Sequence, residues 1–91
     1  MRTIWKFAVF PGRFFHDMPQ GAQVLDVQVQ DGEPQLWALV DPALETEARW
    51  FRVFGTGQSV PDATLRYVGT FQLEGGMLVL HLFSETAAKG A

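Results

Sequence analysis

The chain has ninety-one residues and no cysteine, which means one domain near the lower size limit for folding without staples, and no disulfides or thiolate metal sites. Seven basic against ten acidic residues give a net charge of −3. That balance excludes nucleic-acid binding driven by bulk charge, because neutralising phosphates takes clustered Lys and Arg.

No charged n-region followed by an apolar run and a small-residue cleavage site opens the chain, so no signal peptide is expected. Apolar runs such as residues 77–80 are too short to cross a membrane. These features predict a soluble protein of the cytoplasm. Apolar residues make up 47% of the chain and aromatics 13%, enough to supply a core. A fully buried large apolar side chain contributes roughly 1.5–3 kcal/mol.

Residues 3–10 read as a first strand, rich in aromatic and β-branched residues, stopped by Pro11-Gly12. Residues 13–21 show no sustained period and read as an ordered loop. Residues 24–30 alternate, with Leu25, Val27 and Val29 predicted inward and Asp26, Gln28 and Gln30 outward. Asp31-Gly32 suits a tight hairpin because both residues take positive φ cheaply. Residues 35–40 return with Leu36, Ala38 and Val40 on one face and Trp37 and Leu39 on the other. Trp5 and Trp37 are assigned to the core.

After an acidic connection with room for one helical turn at residues 43–47, residues 48–54 form a strand. It puts Trp50, Arg52 and Phe54 on one face and Arg49, Phe51 and Val53 on the other. A ten-residue loop over 55–64 contains Gly55-Thr56-Gly57. Residues 65–73 form the fifth strand, with Leu65, Tyr67, Gly69, Phe71 and Leu73 sharing a face. A second hairpin turns at Glu74-Gly75-Gly76 into residues 77–83. The expectation is an all-β fold, a small antiparallel barrel or compact sandwich of about six strands with two hairpins. One β domain spans 1–83, with a frayed tail over 84–91. Unblunted sheet edges predict a homo-oligomer, a dimer or higher.

Catalytic equipment is sparse. No Gly-x-Ser-x-Gly elbow and no His-Glu-x-x-His occurs, and no general base has a visible partner. His16-Asp17 alone is too few ligands for a metal and reads as a solvated loop pair. His81, between Leu80 and Leu82, reads as a hydrogen-bonded, partly buried side chain. The expectation is therefore no enzyme, no catalytic residues, no metal and no cofactor.

Gly55-Thr56-Gly57 follows a strand, as phosphate-cradling loops do, but the lysine and following helix of a P-loop are missing. Arg49, Arg52 and Arg66 flank this turn with Trp50, Phe54 and Tyr67 among them. Rings that stack and guanidinium forks that pair with phosphate suit a nucleotide, and the same residues suit a protein interface. The predicted ligand-binding set is Arg49, Arg52, Phe54, Gly55, Thr56, Gly57, Gln58, Arg66 and Tyr67.

Four segments carry a resemblance: Ile4-Trp5-Lys6-Phe7, Leu36-Trp37-Ala38-Leu39-Val40-Asp41, Phe51-Arg52-Val53-Phe54-Gly55-Thr56-Gly57 and Leu65-Arg66-Tyr67-Val68-Gly69-Thr70-Phe71-Gln72. With Gly75-Gly76 and His81, these resemble a family of small uncharacterised proteins of tailed phages and prophages. Members often carry His or a similar polar residue after the Gly-Thr-Gly turn, where this chain has Gln58. The family supplies no activity to transfer, but the resemblance implies a phage setting. Small non-catalytic proteins there often neutralise a host component. The expectation is a counter-defence protein that sequesters a small anionic nucleotide-type signal. The alternatives are an inhibitor of a host protein and a minor virion or assembly component.

Overall fold

The computed structural model describes residues 1–61 and 64–86. Its strands are β1 (Thr3–Ala8), β2 (Arg13–Pro19), β3 (Gln23–Gln30), β4 (Glu33–Val40), β5 (Thr46–Gly55), β6 (Leu65–Leu73) and β7 (Leu78–Glu85). They form two antiparallel sheets, one ordered β1-β4-β3 and the other β2-β5-β7-β6. The all-β expectation holds, as two sheets packed face to face and not as a closed barrel.

Strand alternation explains the layering. Leu36, Ala38 and Val40 of β4 are buried, as are Phe51 and Val53 of β5 and Leu82 of β7. Together with Phe14, Met18, Val27 and Phe71 they form one core cluster drawn from both sheets. The expected hairpin at Asp31-Gly32 is present, with φ of 54° and 80° and Gln30 paired with Glu33. The second hairpin turns through a short 3₁₀ segment at Glu74–Gly76.

Several sequence expectations are corrected. The segment after Pro11-Gly12 is a strand, β2, paired along its length with β5, so the domain has seven strands among the described residues. Its inward face is Phe14, His16 and Met18. His16 packs against Phe7, Phe10 and Phe14, and its Nε2 donates to the Ala8 carbonyl at 2.7 Å. It is a packed residue, not a solvated one. The acidic connection after β4 forms a turn on Asp41, whose Oδ1 accepts from Ala43 N at 3.1 Å, and no helical turn. Trp5 is 40% exposed, and Trp37 lies opposite Lys6 and Asp26 on the outer face of its sheet. Neither belongs to the core. Finally, β7 continues through Ser84 and Glu85, so these two belong to the sheet; of the expected tail, residues 87–91 lie outside the described residues.

Two bulges also break the expected alternation. The register of β3 shifts between Val24 and Asp26, making Leu25 the extra residue, and Leu25 is 43% exposed. The register of β6 shifts between Tyr67 and Gly69, making Val68 the extra residue. One inserted residue inverts the facing of everything beyond it. Leu65 and Tyr67 therefore face outward, while Gly69, Phe71 and Leu73 face the core. Gly69 lies against β3: a Cβ there would fall 2.7 Å from Val27 Cγ1.

Candidate functional site

Strand geometry decides which of the predicted residues meet. Arg49 and Arg52 are separated by an odd number of positions on β5, so their side chains leave opposite faces. Arg49 faces inward, where its Nη1 donates to the Ala22 carbonyl at 2.8 Å and spans from β5 to the start of β3. Arg66 is paired with Ser84, which is buried and itself paired with Phe51; it therefore shares the inner side with Arg49. The two strands that carry these arginines are separated by β7, about 10 Å at the usual strand spacing.

Between them lies an open cleft of about 720 Å³, lined by Leu25, Arg49, Trp50, Arg66, Tyr67 and Val68 among others. Both bulged residues, Leu25 and Val68, are in its wall. A bulge bends its strand and increases the local twist, so the two bulges shape this end of the inter-sheet space. The volume falls within the range of roughly 300–1,000 Å³ usual for small-molecule sites.

Arg52 is not part of that grouping. On the outer face of β5 its Nε donates to Glu85 Oε2 at 2.9 Å. Arg13 donates to the same carboxylate from Nε at 2.7 Å and from Nη2 at 3.0 Å, while its Cζ sits 3.9 Å over the Trp50 ring. The hydrogen bonds from Arg13, joined by that from Arg52, bring the Glu85 carboxyl down from 4.5 to about 2, against the opposing effect of burial. The Glu85 carboxylate is thus paired with two guanidinium groups on the outer face of the sheet.

The Gly-Thr-Gly turn stands at the other end of β5, roughly 20 Å from Arg49 at about 3.3 Å per residue. Gly55 N donates to Gln58 Oε1 at 2.9 Å, and Gln58 N donates to the Gly55 carbonyl at 3.0 Å. Gly57 has φ of 88°. Thr56 Oγ1 lies 2.8 Å from His81 Nε2, and Thr70 Oγ1 lies 2.9 Å from His81 Nδ1. Tyr67 extends the chain with its hydroxyl 2.6 Å from Thr70 Oγ1. Phe54 is buried against the edge of Phe83, ring centroids 5.6 Å apart. The turn is closed on itself and tied to the outer sheet face through His81.

Of the predicted set, then, Arg49 and Arg66 line one cleft and Tyr67 borders it with its ring on the outer face, whereas Arg52, Phe54, Gly55, Thr56, Gly57 and Gln58 lie elsewhere. The cleft's other walls come from β3 and the end of β7, and no sequence signal indicated them because they are joined only by packing. Both histidines are engaged in the contacts above and neither lines the cleft. No set of three or more His, Asp or Glu suited to a metal occurs among the described residues. No helix among them is long and apolar enough to cross a membrane. A family model described as a domain of unknown function (DUF7352) matches residues 1–91. No curated protein matches the chain, and no solved structure does.

Proposed function

The chain belongs to the DUF7352 family, described as a domain of unknown function, and from the chain's own surfaces we propose a non-enzymatic binding protein that sequesters a small anionic ligand of nucleotide type. The observation that carries this reading is the pairing of Arg49 and Arg66 on the inner side of the inter-sheet cleft. Two guanidinium groups there suit separated anionic oxygens, since a planar fork binds phosphate bidentately. Trp50 and Tyr67 border the same cleft, with their rings on the outer face of the sheet, against Arg13 and Phe83. The engagement of both histidines elsewhere supports binding over turnover. The resemblance to small phage proteins directs the reading to counter-defence, with a nucleotide immune signal as ligand. The site is the cleft and not the Gly-Thr-Gly turn.

Calorimetry of the full chain against cyclic dinucleotides and ADP-ribose tests it. Binding is expected for at least one, with loss of about tenfold or more when Arg66→Glu reverses the charge at the mouth, because a charged hydrogen bond is worth roughly 1.5–3 kcal/mol. No heat with any of these ligands, or heat unchanged by Arg66→Glu and Arg49→Gln together, abandons the reading.

A second reading, an inhibitor docking on a host protein, is favoured by the outer face of the four-stranded sheet. Phe15 and Tyr67 are 48% and 56% exposed there, beside the Arg13–Trp50 stack. Aromatic and arginine side chains dominate interface hot spots. Specific capture of one host protein, lost in Phe15→Ser and Tyr67→Ser, distinguishes this reading from ligand sequestration.

A further inference from the structure

At the opposite end of the sandwich, a second pocket of about 350 Å³ opens between the sheets, and its lining is almost wholly aliphatic and aromatic. Val53, Leu80, Leu78, Leu73 and Phe71 form its floor from the inner face of the four-stranded sheet, with Val9 and Phe10 opposite. Phe10 packs edge-on against Phe14, ring centroids 5.7 Å apart, and is 49% exposed. Leu78 at the rim is 39% exposed. The space is therefore an apolar hole that the chain's own side chains do not fill.

The chemistry of the walls narrows the occupant. Pro11 and Pro34 have no N–H to donate. The neighbouring amides are committed, Val9 N to the Pro34 carbonyl at 3.1 Å and Val53 N to the Gly12 carbonyl at 2.9 Å. An occupant gains from burying apolar surface and has little opportunity for hydrogen bonding. Sheets packed face to face lie about 10 Å apart, which favours a slender apolar occupant over a bulky one. The only ionisable lining side chain is Glu33, so an anionic head is repelled and a neutral one is not. From this geometry we infer that the pocket binds an unbranched alkyl group carrying a neutral head, whether from a free alcohol or from a neutral lipid. This site is independent of the anion cleft, and neither reading depends on the other.

The test uses the full chain, methyl-resolved NMR and a series of n-alkanols from pentanol to decanol. Saturable shifts are expected at Val53, Leu73, Leu78 and Leu80. Affinity should rise roughly fourfold per methylene, the equivalent of about 0.8 kcal/mol for each one buried, and then reach a plateau where the pocket is full. Partition onto a surface has no plateau. Octanoate should bind more weakly than octanol, and Leu78→Asp, at a half-exposed rim position, should weaken octanol about tenfold or more. A neutral monoacylglycerol of matching chain length distinguishes a lipid source from a free alcohol by its tighter binding. No saturable shift up to the solubility limit, no plateau, or octanoate binding as tightly as octanol overturns the inference. So does movement of the same methyl signals with protein concentration alone, because a second copy of the chain would then be the occupant.

Discussion

Adding one methyl group at Gly69 probes a close approach of the two sheets. In Gly69→Ala the new carbon would sit 2.7 Å from Val27 Cγ1 and 3.6 Å from Asp26 Oδ1. Two carbons are comfortable at about 3.5–4.0 Å, so one side must retreat by roughly 1 Å. Val27 cannot retreat easily. It is 2% exposed, is stiff at χ1 as a β-branched residue, and its amide is held by Asp26 Oδ1 at 2.8 Å. Its strand is also fixed by the ladder to β4. Overpacking of this kind costs about 1–3 kcal/mol. The smaller unfolded-state entropy of alanine offsets about 0.4–1 kcal/mol of that. A net loss of about 1–2 kcal/mol follows, equivalent to a fall of roughly 5–15 °C in Tm for a domain of this size. Urea unfolding of the single variants and of the combination with Val27→Ala measures it. Val27→Ala alone leaves a cavity, but the two changes together place one methyl where another was removed. The pair should therefore couple favourably by at least about 0.5 kcal/mol. Wild-type stability in Gly69→Ala, or strict additivity in the pair, would refute the reasoning.

Two further predictions concern the outer sheet face. Glu85 has a folded pKa of about 2, below the ordinary 4.5, so its ion pairs contribute stability fully above the ordinary value and lose it as pH falls towards 2. Glu85→Gln should flatten the acid limb of stability against pH in that window, with only a small loss at neutral pH because the pairs face solvent; urea midpoints at several pH values with an unchanged slope would contradict this. Thr56→Val removes the hydroxyl beside His81 Nε2 at nearly constant shape. Faster amide exchange is expected at Thr56 and Gln58 with β7 unaffected, and equal rates would mean that the turn is held by its backbone alone.

Much of the architecture is legible in the alternation of side chains, as in β4, where Leu36, Ala38 and Val40 share the buried face. The places where legibility failed have physical causes. In β2, His16 counts as polar in a sequence pattern, yet it is packed among rings, so the series Phe14, His16, Met18 went unseen as an inward face. In β6, Leu65, Tyr67, Gly69, Phe71 and Leu73 keep a perfect period of two, but the extra residue Val68 splits them between two faces. Periodicity does not encode a bulge. For the site, the odd separation of Arg49 and Arg52 already implies opposite faces of one strand. The sequence holds no corresponding indication that Arg66 joins Arg49, since that depends on β7 lying between β5 and β6.

The position of β7 also constrains the order in which the chain can assemble. β6 precedes β7 in sequence but has only β7 as a hydrogen-bonded neighbour, and β5 meets β6 only through it. Until residues 78–85 are threaded into place, the edge of β5 around Phe51 and Phe54 stands open and β6 has nothing to pair with. Non-local strand insertion is slow, because loop closure must precede the contacts that reward it. The four-stranded sheet therefore closes late, around the segment made last among the described strands. The apolar edge exposed in the interval is the point at which a nascent chain is most open to pairing with a neighbour.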